Sequence, residues 1–183
     1  MPQLTHLIFV VTMKQMRQQM YMPEVLRRLA TLEQRASDLY AHYATLFCED
    51  AQAESLFVKM KKEEDNHRTQ VLLQERLARN SSASASLVSV DMSGVESVLQ
   101  AIESQLSFHE VDLLAALDFA IMLETTGMEA SYRTLLTRQN SDLAKLAKAL
   151  SAGDQQHVRK LMTFRNSVMQ RSQNDSAEAD STG

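Results

Sequence analysis

Apolar residues recur at spacings of three and four along most of this chain, and at four places a polar group stands inside the apolar row. Leu29, Ala36, Tyr40, Tyr43 and Phe47 form one stripe, with Glu33 within it. Phe57, Met60 and Val71 form a second, interrupted by Glu64 and His67. Leu113, Leu117, Ala120, Met128, Ser131 and Leu135 form a third around Glu124. Leu143, Ala147, Leu150, Leu161, Phe164 and Val168 form a fourth around Asp154 and His157. This period belongs to amphipathic helices with one face turned to a core.

Local signals set the expected boundaries. Pro23 suits a first helical turn and Glu24 its positive end, so the first helix is expected from residue 23 to about Cys48. Glu49-Asp50 forms a tight connection, and Asp50 caps a second helix running to about Ala78. Asn80 to Met92 is Ser-rich and poor in large apolar residues, which predicts a crossover loop. Ser93 and Glu96 make a capping box that opens a short helix over 93–106. Ser107 and Glu110 repeat the box and open a third long helix to about Arg138. Gln139-Asn140-Ser141 is the next turn, and the fourth helix follows to about residue 170. Residues 1–22 fit this scheme poorly and are expected to be an extension that adds little to the core, with Met13, Met16, Met20 and Met22 as alternative starts. Residues 171–183 are polar and Ser-rich and are expected to be a disordered tail.

Composition agrees with an all-α class. Of 183 residues, 44% are hydrophobic, with four Gly, two Pro and no Trp, which favours helix and suffices for one domain with a real core over 23–170. The net charge of -4 comes from basic residues scattered among acidic ones, so neither nucleic acid nor an anionic membrane is an expected partner. Cys48 is the only cysteine, which excludes an intrachain disulfide and Cys-based metal sites and suits a reducing compartment. The apolar run from Leu7 to Val11 is too short for a membrane span, and the expected location is the cytoplasm.

The polar residues inside the stripes fall into register. Glu33 and His67 are equidistant from residue 50, the expected first turn, and Glu124 and His157 are symmetric about the Gln139-Asn140-Ser141 turn. In antiparallel hairpins such residues lie at one height, so Glu33, Glu64, His67, Glu124, Asp154 and His157 are expected to share one layer of a four-helix bundle. Burying four bare carboxylates is untenable, whereas two divalent cations balance their charge. Oxygen and nitrogen donors without thiolate suit iron or manganese. The bland alternative is a decayed site whose acids pair with Arg or Lys or stay protonated. His6, His42 and His109 lack partners at ligand spacing and are expected at the surface or in packing roles, as is the group Lys59, Lys61, Lys62 and Arg68. Met60 and Met128 are expected as core filler, and Glu63 and Glu129 as exposed neighbours of the stripes.

Over about residues 24–170 the chain resembles the ferritin-like superfamily, most closely its rubrerythrin-related branch. The resemblance is carried by Leu32-Glu33 with Tyr40 seven residues on, by Glu64-Asp65-Asn66-His67, by the run from Ala116 to Glu124, and by His157 with an acid three residues before it. It implies two antiparallel hairpins joined by a long crossover and a centre of two iron ions, or manganese, or a mixed pair. Glu33 and Glu124 would be terminal carboxylates, Glu64 and Asp154 bridging ones, His67 and His157 nitrogen ligands, and Tyr40 a donor to a ligand carboxylate. Asp154 stands where the family has Glu, shorter by one methylene, about 1.5 Å, which implies weaker binding on that side. Gly127 replaces an additional Glu common in rubrerythrins, so their redox-linked ligand exchange is not implied. Tyr132 falls one residue out of step with Tyr40. The resemblance implies an oxidoreductase that reduces peroxide or oxygen with an external electron donor, because no rubredoxin-type Cys pairs are present, and also suggests a homodimer. The alternatives are a ferroxidase or iron-handling protein, and a metal-free bundle serving as a regulatory or interaction module.

Overall fold

A computed structural model describes residues 18–80, 87–90, 93–128 and 141–181. These are predominantly helical, and the protein is all-α apart from one short two-stranded ribbon. The chain runs β1 (Gln18–Tyr21), α1 (Met22–Leu46), α2 (Ala51–Arg79), β2 (Leu87–Val90), α3 (Ser93–Leu106), α4 (Leu113–Met122), a π-helical segment (Leu123–Met128) and α5 (Ser141–Ser181).

Helices α1 and α2 make the most extensive pairing and fold back on each other across residues 47–50. Asp50 is the N-cap expected from the sequence, its carboxylate accepting from the backbone N–H of Gln52 at 2.9 Å and Ala53 at 3.1 Å. Near that turn Tyr40, Tyr43, Phe47 and Phe57 pack ring on ring at centroid separations of 5.3 to 6.2 Å. Pairs equidistant from the turn meet along the hairpin, as Ser37 does with Asp65 and Arg27 with Glu75. The hairpin is antiparallel and in the expected register.

Helix α3 then runs parallel to α1, tied by Arg28–Glu96, Arg35–Glu103 and Tyr43–Gln105. It returns the chain to the α1–α2 turn, where α4 starts. Helix α5 is antiparallel both to α4, through Arg165 and Asp118, and to α2, through Lys160 and Glu63 and then Arg171 and Asp50. The apolar stripes are buried where described: Leu29, Ala36, Tyr40 and Tyr43 on α1, Phe57, Met60 and Val71 on α2, Leu117 and Ala120 on α4, Leu150, Leu161 and Val168 on α5.

Four expectations are corrected. The crossover is not all loop, because Leu87–Val90 forms a strand paired antiparallel with Gln18–Tyr21. Residues 18–21 are consequently part of the fold, and Met20 is 4% exposed and belongs to the core. The N-cap of α4 is Asp112, not Ser107: Ser107 belongs to the closing turn of α3, where its N–H and its hydroxyl both donate to the Ser104 carbonyl, while the Asp112 carboxylate accepts from Ala115 N at 2.9 Å. Helix α5 continues to Ser181 instead of ending near residue 170, with residues 171–174 exposed.

The apolar run at 7–11, the third helix beyond 128 with Glu129 and Tyr132, and the turn residues Gln139 and Asn140 lie outside the described residues. No helix among the described residues is long and apolar enough to cross a membrane. Cys48 is a free thiol, exposed beside the first turn.

Candidate metal centre

Each interrupted stripe delivers its polar group to the interior. Glu33 on α1, Glu64 and His67 on α2, Glu124 on the π segment, and Asp154 and His157 on α5 are all buried, none more than 8% exposed. Five of the six form two groups whose potential donor atoms lie within 4.8 Å of one another: Glu33, Glu64 and His67, and Glu64, Glu124 and His157. Glu64 belongs to both. His67 Nδ1 lies 3.3 Å from Glu64 and 3.9 Å from Glu33, and His157 Nδ1 lies 3.0 Å from Glu64 and 3.2 Å from Glu124. The two imidazoles stack with centroids 5.4 Å apart.

Asp154 stands back from this arrangement. It is buried, but it belongs to neither group, as its shorter side chain suggests. With Glu124 it borders a cavity of about 370 Å³ that reaches Thr125, Gln155 and Arg159 at the surface.

The layer is full of polar atoms without hydrogen-bond partners. Both oxygens of Glu33, Glu64 and Asp154, together with His67 Nδ1, are buried and unpartnered. Such atoms each cost about 1–3 kcal/mol when left unsatisfied. No Lys or Arg among the described residues pairs with the four acids, which removes one form of the decayed-site alternative and leaves the other, in which burial keeps the acids protonated; the cations pair instead with acids outside the layer such as Glu75, Glu103 and Asp118.

Electrostatics express this crowding. Burial, then the Glu64 charge, raises Glu33 well above the ordinary carboxylate range. Burial, then Glu124 and Glu64, pushes Asp154 up to about 8. Burial also raises Glu124, against hydrogen bonds from His157 and Tyr40. For Glu64, burial acts upward but is outweighed by His157 and His67, and the net direction is down. Burial disfavours a charged His157, yet Glu124 and Glu64 hold its pKa up at about 11. Glu64 is thus the one acid of the four whose pKa is lowered, while those of Glu33, Glu124 and Asp154 are raised.

Supporting groups stand behind some of the donors. Tyr40 Oη donates to Glu124 Oε1 at 2.5 Å. Glu63, read from the sequence as an exposed neighbour, lies 2.8 Å from His157 Nε2 and receives both its oxygens' contacts from Lys160 at 2.6 to 2.7 Å. No signal in the sequence marked it out: Lys59, Asn66 and Gln70 also directly precede stripe positions of α2 and are exposed, and only the packing of α5 gives Glu63 its partner.

The π-helical segment was not foreseen. Thr125-Thr126-Gly127 are weak α-formers, and Thr125 Oγ1 bonds back to the carbonyls of Ile121 and Met122, competing with the regular ladder. Departures of this kind are frequent at functional sites, and this one carries Glu124. His42 is accounted for by a 2.9 Å contact of its Nε2 with the carbonyl of Phe108.

Comparison of the chain with protein-family models, with curated proteins and with solved structures finds no match in any of the three.

Proposed function

We propose that this protein is a ferritin-like four-helix bundle that holds two divalent metal ions, iron first among them, and works as a rubrerythrin-like oxidoreductase on peroxide or dioxygen with electrons from an external donor. The observation that carries this reading is the buried layer of four carboxylates and two imidazoles with seven unpartnered polar atoms and no Lys or Arg counter-ion among the described residues. The donors fit the ions: oxygen and imidazole nitrogen only, in two groups sharing one carboxylate. The antiparallel pairings α1–α2 and α4–α5, joined through a long crossover, support the bundle assignment.

Ferrous ions held there would supply two electrons to a peroxide, which with two protons yields two molecules of water. The chain's own residues do the rest. Glu64, common to both groups, would serve both positions, with Glu33 and His67 holding one and Glu124 and His157 the other. Tyr40 fixes one oxygen of Glu124 and so leaves the other directed toward His157. The cavity at Glu124 and Asp154 gives a small oxidant a path from solvent between the π segment and α5. Elsewhere the apolar core excludes water.

Metal analysis of purified protein tests the proposal, with two ions per chain expected. Glu64→Ala is expected to abolish both, because Glu64 is the member common to the two groups. Peroxide consumption with a supplied reductant then separates the oxidoreductase from an iron-handling protein. A chain that folds, binds no divalent metal and turns over no peroxide would return the reading to a metal-free interaction module.

A further inference from the structure

The residues behind the two histidines differ in a way that ranks the two metal positions. Glu63 directly precedes Glu64 on α2, and Gly153 directly precedes Asp154 on α5, so they hold equivalent places in the two Acid-x-x-His segments. Each faces the histidine of the other segment. Glu63 Oε2 lies 2.8 Å from His157 Nε2. Gly153 meets His67 instead: a β-carbon added there would lie 2.6 Å from Nε2 and 2.8 Å from Cε1 of that ring.

The consequences for the imidazoles are opposite. A carboxylate accepting from Nε2–H fixes the tautomer of His157, leaves the Nδ1 lone pair aimed at Glu64 and Glu124, and makes that nitrogen a stronger donor. For His67 the carboxylate contacts are at Nδ1, and beside Nε2 stands the place that a side chain on Gly153 would fill. The carboxylates repeat the contrast. Glu124 is held by Tyr40, whereas neither oxygen of Glu33 has a donor.

A glycine inside a helix costs about 1 kcal/mol relative to alanine, so its presence in α5 calls for a structural reason. The close approach of His67 supplies one, since any side chain at 153 would force the ring out of the layer.

On the two-metal reading above, we infer that the positions are inequivalent: the Glu64–Glu124–His157 position binds first and tightly, and the Glu33–Glu64–His67 position, which Gly153 keeps open, is the exchangeable one. Partners behind metal ligands are worth 10–100-fold in affinity, and that is the separation expected between the two. The ranking is the reverse of the one drawn from the length of Asp154 alone.

Titration of the chelator-treated full chain with Co²⁺, followed by calorimetry and ligand-field absorbance, tests this. The unmodified protein is expected to bind one equivalent about 10–100-fold more tightly than a second. Glu63→Gln should weaken the first equivalent by a similar factor and leave the second unchanged, while Gly153→Ala and His67→Ala should remove the second and spare the first. Glu63 is partly exposed, so its variant tests the ranking even where a core variant fails to keep its far-UV helical signal. Two equal affinities, or loss of the tight equivalent in His67→Ala, would overturn the ranking while leaving the metal site standing. No Co²⁺ binding at all would overturn both.

Discussion

Asp154→Asn is expected to stabilise the metal-free protein, and by an amount that depends on pH. The carboxyl is buried with both oxygens unpartnered, and its pKa stands at about 8 against an ordinary value of 3.8. An acid whose folded pKa is raised contributes stability that is intact below the unfolded pKa and lost as pH rises toward the folded one. Between pH 3.8 and about 8, folding must bind a proton to Asp154, at about 1.4 kcal/mol per pH unit. At pH 5 that is about 1.6 kcal/mol, and at pH 7 about 4 kcal/mol. Asn has nearly the shape of the protonated acid and no proton to acquire. In a domain of this size the gain corresponds to roughly 4 °C in Tm at pH 5 and roughly 10 °C at pH 7, shrinking to about 1–2 °C near pH 4. The assay is thermal unfolding of both proteins in chelator across pH 4 to 8. A gain independent of pH, or a loss at pH 7, would refute the reasoning. Metal content gives a second reading from the same variant: Asp154→Asn should keep two ions, and a fall in stoichiometry would make Asp154 a ligand after all.

Two further outcomes follow from groups already placed. His157, held at about 11 against 6.5, binds a proton in the metal-free fold that the unfolded chain has released, so its contribution is complete below about pH 6.5 and lost as pH rises toward 11; chelated protein should lose stability over that window, and His157→Gln should flatten the loss in denaturant titrations. Met20→Ala should cost about 2 kcal/mol by removing a buried side chain, seen as a lower urea midpoint, whereas removal of residues 1–17 alone should leave β1 and that midpoint in place.

The parts legible in the sequence were those in which a long period repeats. Glu33, Glu64 and His67 could be placed on one layer because each interrupts an apolar row, and Asp50 fixes the turn that brings the rows into register. Signals confined to one residue were weaker. Ser107 and Asp112 are both competent caps, and only the closing turn of α3, which engages the Ser107 hydroxyl, decides between them. The ribbon pairs Gln18–Tyr21 with Leu87–Val90, short segments whose partnership depends on where α1 and α2 have already carried them. Glu63 was read as an exposed neighbour of its stripe because its contact with His157 depends on the neighbouring helix, not on its own. The π turn at Glu124 likewise arises from competition between Thr125 and the helix ladder, which apolar periodicity does not register.

The sharing of Glu64 bears on the order in which the protein assembles. Glu33, Glu64 and His67 all lie on the α1–α2 hairpin, whose ends are joined by a four-residue turn and whose aromatic rings pack close to it. Contacts of short loop length close at the lowest entropic cost, so we expect this half of the site to form while the rest of the chain is still unfolded. The other half draws on α2, the π segment and α5, and exists only once the distant hairpin has docked. On the two-metal reading an ion there would join the two halves of the molecule, so metal release from that position should loosen α4 and α5 together, with amide hydrogen exchange in α5 rising while α1 stays protected.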